Sequence, residues 1–301
     1  MDMPSISEQP DFLVKSILDQ FEFPVQRCVL ERSEVFKDMF ALCDQGPNSD
    51  GDKLGHYVEL NEPAETLRTL LELLSHPPPP PLLLSSPAYD SAHECWIKSP
   101  FSQRYDHDSV IPFPILPGMI QLADKYCLSE PLIRSLRTHL FANAFLHPLK
   151  VYGFATANGF DDIAVEASAY LLHPPLAVYT REEISIIPTV VAYHDLVRLH
   201  AHRIDSLRTI LLSEDIFPFG YGACDAHRDD TARAWNERRI QLAPKIEAAS
   251  DLASEMRALL GRFLSCQTCS KACIAATEML EYKCRRVART IRHLSRGKRA
   301  S

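Results

Sequence analysis

The sequence predicts an α+β fold: a small three-stranded sheet with surrounding helices, followed by an all-α helical extension. Three observations carry this. Short β-rich or alternating apolar runs occur only within residues 11–60. From Pro63 onward, apolar residues recur at the i, i+3, i+4 spacing of helices. The 301-residue chain holds only 10 Gly against 22 Pro. That balance suits helices joined by proline-bounded connections, and it counts against glycine-rich phosphate loops and many-turned β-sandwiches. The length suits two domains of roughly 150 residues each, and the 46% hydrophobic fraction excludes global disorder.

The elements follow in order. Phe12, Leu13 and Val14 form one short strand, and Phe21, Phe23 and Val25 alternate as a second, with Lys15–Gln20 turning the hairpin. Tyr57–Leu60 is a third strand. Between the second and third, Val29, Leu30, Val35, Phe36, Met39, Phe40 and Leu42 suit one or two short helices. Pro63 opens a clear helix carrying Leu67, Leu70, Leu71 and Leu74. Residues 76–113 break the pattern with Pro77–Pro81 and no glycine, which predicts a long loop that starts in polyproline II form. Tyr89, Trp96, Phe101 and Tyr105 within it are expected to pack on the domain or on a partner. Pro77–Pro81 reads as a passive spacer, with an SH3 or WW ligand as the alternative.

Everything after residue 113 reads as helix. Leu116, Met119, Ile120, Ala123 and Tyr126 make one apolar face; Leu132, Leu136 and Leu140 make the next. Val151–Ala155 ends at Asn158-Gly159, and Ile163–Leu171 ends at Pro174-Pro175. Thr180-Arg-Glu-Glu183 is a capping-box pattern. A long helix is expected from about Pro188 to Leu212, then a loop over 214–230. A helical hairpin closes the chain. Its first arm carries Ile246, Ala249, Ala253, Met256, Leu260 and Phe263. Its second carries an unbroken stripe of Cys269, Cys273, Ala276, Leu280, Cys284, Val287, Ile291 and Leu294.

Charge is unevenly spread. Residues 281–301 hold eight Lys and Arg against Glu281, a net +7, so residues 1–280 hold −14 of the chain's −7. The acidic body repels a phosphate backbone, which makes nucleic acid an unexpected partner. The basic tail reads as a solvated helix face, with a nuclear signal or an acidic partner as alternatives. No apolar run approaches the ~18 residues a bilayer span needs, and Met1–Pro10 lacks the basic and apolar opening of a signal peptide. Nine thinly spread cysteines suit reduced thiols, so a cytoplasmic or nuclear location without membrane contact is expected.

Asp11-Phe-Leu-Val-Lys-Ser16, then Phe21-Glu-Phe-Pro-Val-Gln-Arg-Cys-Val-Leu30, then Ser33-Glu-Val-Phe-Lys-Asp-Met-Phe40 resemble the opening of BTB/POZ domains. Val58-Glu-Leu60 is similar to that family's third strand, and Leu122-Ala-Asp-Lys-Tyr126 to its Leu-Ala-Asp-Lys-Tyr helix. His147-Pro148 followed by Val151–Ala155 looks like the start of the helical, BACK-like extension of fungal-type members. The resemblance covers residues 11–172 well and the remainder loosely. It implies a BTB/POZ-like domain over 9–143, interrupted by the 76–113 insertion, and a helical extension over 144–301. It also implies a non-enzymatic protein-interaction module with no cofactor. Such a module self-associates as a homodimer, or serves as a substrate adaptor for a cullin ubiquitin ligase. The family's dimer charge pair carries over to Asp11 and Arg27. Three departures stand out: Gln26 replaces the usual His, about ten residues precede the first strand, and the 76–113 insertion falls near the surface that cullin-binding members use.

Two clusters invite chemistry. Cys224-x-x-His227 and Cys266-x-x-Cys269 supply four zinc-type ligands in pairs. The 38 residues between the pairs exceed common finger spacings, and Cys269, Cys273 and Cys284 lie on the apolar stripe. Core packing is therefore the expected role and no metal site is assigned, with a zinc-stabilised or metal-dependent domain as the alternative. Cys266-x-x-Cys269 lacks the βαβ context of a redox motif. His194-Asp195 with His200 and His202 lacks a second histidine cluster of suitable spacing, so no catalytic residue is assigned. No His-Glu-x-x-His, Gly-x-Ser-x-Gly or Gly-x-x-x-x-Gly-Lys-Ser/Thr motif occurs.

Overall fold

The computed structural model of the chain describes residues 9–44, 57–84 and 105–294. It is an α+β structure that divides into two compact units, Met1–Asn143 and Ala144–Ser301. Among the described residues, no helix is long and apolar enough to cross a membrane.

The first unit is built on a three-stranded sheet of order β2-β1-β3. Strand β1 (Phe12–Ser16) pairs antiparallel with β2 (Glu22–Val25) and parallel with β3 (Tyr57–Leu60). A parallel partner needs a crossover, and helices α1 (Arg27–Leu30) and α2 (Glu34–Asp44) lie within it. Alternation along β1 buries Phe12, Val14 and Ser16 and turns Leu13 and Lys15 outward. The buried face meets α2, where the Phe12 and Phe40 rings stand edge to face at 5.1 Å. Helix α3 (Ala64–Ser75) adds Leu67, Leu70, Leu71 and Leu74 to the core. Helices α4 (Leu116–Lys125) and α5 (Glu130–Ala142) follow as a packed pair carrying Leu116, Ile120, Leu132, Leu136 and Leu140 inside. Buried Ser33 binds this pair to the crossover by donating to the Tyr126 carbonyl at 2.6 Å, and the Phe36 and Tyr126 rings stack at 5.5 Å.

The described flanks of the proline-rich insertion, 76–84 and 105–113, run mostly outside regular elements, as expected of a loop, and are held against the unit. One face of α5 presents Ser135, His139 and Asn143, all buried, at i, i+4, i+8. Ser135 Oγ donates to the Pro78 carbonyl at 2.8 Å, and Asn143 Nδ2 donates to the Ile111 carbonyl at 2.9 Å. His139 lies between them, against the Pro79 carbonyl at 2.9 Å and the Ile111 amide at 3.2 Å. Proline cannot donate, so a polyproline segment offers only carbonyls, and Ser135 and His139 exploit that asymmetry, while Asn143 holds the returning flank at Ile111. Leu83 and Tyr105 form an antiparallel bridge, and the Asp106 amide donates to the Leu82 carbonyl at 2.9 Å. The insertion therefore leaves and returns at one point. Its expected aromatic contacts from Tyr89, Trp96 and Phe101 lie outside the described residues.

The second unit is helical. Helices α6 (Pro148–Ala157) and α7 (Asp161–Tyr170) pack closely together. Gly153 lets α6 approach Ile186: a Cβ there would fall 2.6 Å from the Ile186 carbonyl oxygen. The capping box at Thr180 and Glu183 forms and starts α8 (Arg181–Ile184). Helix α9 (Val190–Ser213) is the long helix expected, and it buries Leu196, Leu199, Leu207 and Leu211.

The closing hairpin is interrupted in both arms. A helix that the apolar pattern does not announce, α10 (Arg228–Leu242), precedes the first arm. It is charged nearly all round and is anchored by buried Trp235, whose Nε1–H donates to the Glu214 carbonyl at 3.1 Å. The first arm is reduced to α11 (Leu252–Arg257) and α12 (Leu260–Phe263), because Asp251 caps a new helix by accepting the Ser254 amide at 2.9 Å. The second arm, α13 (Gln267–Arg285), stops before Val287. Buried Arg203 of α9 explains the stop. Its guanidinium donates to the Ala248 carbonyl at 2.6 Å, the Val287 carbonyl at 3.2 Å and the Ala288 carbonyl at 3.0 Å. Burial, with Arg289 nearby, pulls its pKa down to about 10. The basic segment is tied into the unit as far as it is described: Lys283 pairs with Glu214, Arg285 with Glu281 and Arg292 with Asp162.

Candidate metal centre and candidate interaction face

Two helix starts converge in the second unit. His227 precedes α10 as its N-cap residue, and Cys266 is the N-cap residue of α13. Each thus follows or leads a short Cys-x-x pair, Cys224-x-x-His227 and Cys266-x-x-Cys269. The first pair is set by a tight turn in which the His227 amide donates to the Cys224 carbonyl at 3.1 Å. The ligand atoms of all four residues lie within 4.8 Å of one another. Cys224 Sγ is 3.5 Å from His227 Nδ1 and 3.7 Å from Cys266 Sγ. Cys269 is buried, Cys224 and Cys266 are half-buried and His227 is exposed. All three cysteines are free thiols.

The electrostatics differ within the cluster. The Cys266 thiol is drawn down to about 6, first by the Cys269 backbone amide and then by the Cys269 and His227 side chains. The Cys269 thiol is pushed up by desolvation. Thr231, itself buried, donates its hydroxyl to Cys269 Sγ at 3.4 Å. A shallow cavity beside the cluster is lined by His227, Thr231, Arg262, Phe263, Cys266 and Cys269.

The core-packing expectation holds for one cysteine and is incomplete for another. Cys273 is buried, and its thiol is pushed up to about 11 by desolvation. Cys269 is also buried, but its sulfur faces the cluster. Cys284 is half-buried and lies near Arg203, with its thiol also pushed up to about 11 by burial. The signal available in the sequence is the pairing itself, Cys224-x-x-His227 with Cys266-x-x-Cys269; that both pairs stand at helix starts is visible only in the fold, because the apolar pattern does not announce α10. Helical periodicity favoured packing because it reads one helix at a time, whereas the cluster joins two.

Asp11 and Arg27 are brought together in the first unit. The Arg27 amide donates to Asp11 Oδ1 at 2.7 Å, so the carboxylate serves the first amide of α1. The Arg27 guanidinium donates to Glu31 at 3.1 Å and lies 4.3 Å over the Phe40 ring. Beside them the outer sheet face forms two cross-strand rows. Pro24, Leu13 and Tyr57 make an apolar row, with Leu13 38% and Tyr57 50% exposed. Glu22, Lys15 and Glu59 make a charged row, with Lys15 3.5 Å from Glu59.

The histidines of α9 do other work. His200 lies against the Leu171 carbonyl at 2.8 Å, and burial lowers its pKa. Asp195 pairs with Arg198 at 3.9 Å. No family model matches the chain, and no curated protein matches it.

Proposed function

We propose that this chain is a non-enzymatic protein-interaction protein of the BTB/POZ kind, which self-associates through its first unit and recruits other proteins. The observation that carries the reading is the one-sided sheet. Helices cover the face bearing Phe12 and Val14, while the Pro24–Leu13–Tyr57 row on the other face stays open to solvent. The order of hairpin, short helices and third strand is also the order that the resemblance implies. A second copy presenting the same row would remove both apolar rows from water. The adjoining Glu22–Lys15–Glu59 row, mixed in sign, would fix the register of the two copies, and Arg27 with Asp11 would add to that selectivity. The cullin-adaptor and nuclear readings rest on resemblance and composition, and among the described residues no contact favours them over self-association.

Light scattering coupled to size-exclusion chromatography tests this on the full chain. The expected mass is twice 34.0 kDa for the wild type, with Leu13→Glu and Arg27→Glu each shifted toward the single-chain mass. Equal dimer content in all three proteins would place the interface elsewhere.

A further inference from the structure

We propose that Cys224, His227, Cys266 and Cys269 bind one zinc ion in a closed, four-coordinate site that locks the starts of α10 and α13 together. The first argument is metric. Zinc–sulfur and zinc–nitrogen bonds of about 2.3 Å and 2.0–2.1 Å give tetrahedral edges of about 3.8 Å between sulfurs and about 3.5 Å between sulfur and nitrogen. The measured separations are 3.7 Å for Cys224 Sγ to Cys266 Sγ and 3.5 Å for Cys224 Sγ to His227 Nδ1. The remaining edges are no longer than 4.8 Å, and side-chain rotations that move a ligand atom by about an ångström would bring them to tetrahedral length. A disulfide would bring two sulfurs to about 2.05 Å, far inside the observed separation.

The second argument is environment. Ordinary packing accounts for a buried cysteine, but three of the four groups are half-buried or exposed and still converge. On binding, each thiol releases its proton to solvent and forms one sulfur–metal bond, while His227 donates the Nδ1 lone pair of its neutral ring. The resulting unit carries a net −1 charge. Two helix N-termini and the neighbouring Arg262 favour that charge. The Thr231 hydroxyl, donating to Cys269 Sγ at 3.4 Å, is the outer-shell bond that a bound thiolate wants. Three sulfurs and one nitrogen in tetrahedral array select zinc over hard, oxygen-seeking cations. With four protein ligands no position remains for water or substrate, so the role is structural.

The third argument is need. The segment entering the site carries Phe219 at 98% and Tyr221 at 78% exposure. Phe219, Gly220 and Gly222 all adopt left-handed backbone, at φ 57°, 80° and 76°. A segment with so little burial has few side-chain contacts to fix its far end, and bonds from Cys224 and His227 to a metal would supply that anchor.

Elemental analysis of the full chain, purified without chelator from zinc-supplemented cells, tests the proposal. One zinc per chain is expected, falling at least tenfold in the Cys224→Ser/Cys266→Ser variant and unchanged in Cys273→Ala. Replacement by cobalt(II) is expected to give the visible absorption of a tetrahedral thiolate site. Far-ultraviolet circular dichroism checks that the double variant remains helical; if it unfolds, the cobalt spectrum of the wild type decides. Substoichiometric metal in the wild type, or an octahedral cobalt spectrum, would overturn the proposal.

Discussion

His139 is the residue on which the base of the insertion turns. Its two ring nitrogens have fixed roles. Nδ1 faces the Ile111 amide and must accept, so Nε2 carries the hydrogen and donates to the Pro79 carbonyl. Only the neutral ring satisfies both neighbours, and burial lowers the pKa of His139 accordingly. Leucine at this position would orphan one amide and one carbonyl. Both bonds are only part-buried, so at about 1 kcal/mol for each lost bond, and with some return from the added apolar burial, His139→Leu should cost about 1–2 kcal/mol. That corresponds to about 5 °C in the melting temperature of the first unit. Glutamine can accept and donate at the same two places without titrating, so His139→Gln should recover part of the loss.

The pH dependence separates the variants. In the unfolded chain His139 takes up a proton below about 6.5, whereas the folded ring resists it. The unfolded state then holds more protons, so the histidine's contribution is fully present above pH 6.5 and is lost as pH falls through the folded value. Melting curves of wild type and His139→Gln between pH 7.5 and 5 should therefore converge as the pH drops. An unchanged gap across that range, or His139→Leu melting with the wild type at pH 7.5, would refute the reasoning.

Three further outcomes are expected. Removing residues 85–104 and joining the ends with a two-residue turn should leave the melting temperature within a few degrees, because the Leu83–Tyr105 bridge already brings the ends together; a cut back to residues 77–112 should instead unfold the unit, since Ser135, His139 and Asn143 lose their partners. Gly153→Ala should cost about 1–3 kcal/mol in urea unfolding, as its Cβ would meet the Ile186 backbone. Arg203→Met should destabilise the second unit by about 2–4 kcal/mol: the buried carbonyls of Ala248 and Val287 lose a charged donor, and the relief of guanidinium desolvation offsets only part of that.

Local signals in the sequence proved legible where the physics is local. The short run Phe12–Val14, the alternation of Phe21, Phe23 and Val25, and the short segment Tyr57–Leu60 announce strands, and all three segments fall in the sheet, with Phe21 just before β2. Thr180 and Glu183 announce a cap, which forms. Three features required knowledge of distant partners. Helix α10 has almost no apolar stripe, and buried Thr231, Trp235 and Leu242 with the bonds of Arg238 and Arg239 hold it. The stripe from Cys269 to Leu294 is continuous in sequence, yet Arg203 claims the Val287 and Ala288 carbonyls and ends the helix early. Ser135, His139 and Asn143 read as ordinary polar residues of an amphipathic helix until the carbonyls of Pro78, Pro79 and Ile111 beside them are known. The four-ligand cluster belongs to the same class, because its two pairs meet only when α10 and α13 are in place.

Self-association through the open face of the sheet is the central claim, and sedimentation equilibrium of the full wild-type chain over a range of concentrations tests it most directly. The account predicts a reversible rise from the 34.0 kDa single-chain mass to twice that value, abolished by Leu13→Glu. A single-chain mass that holds into the tens of micromolar would contradict it.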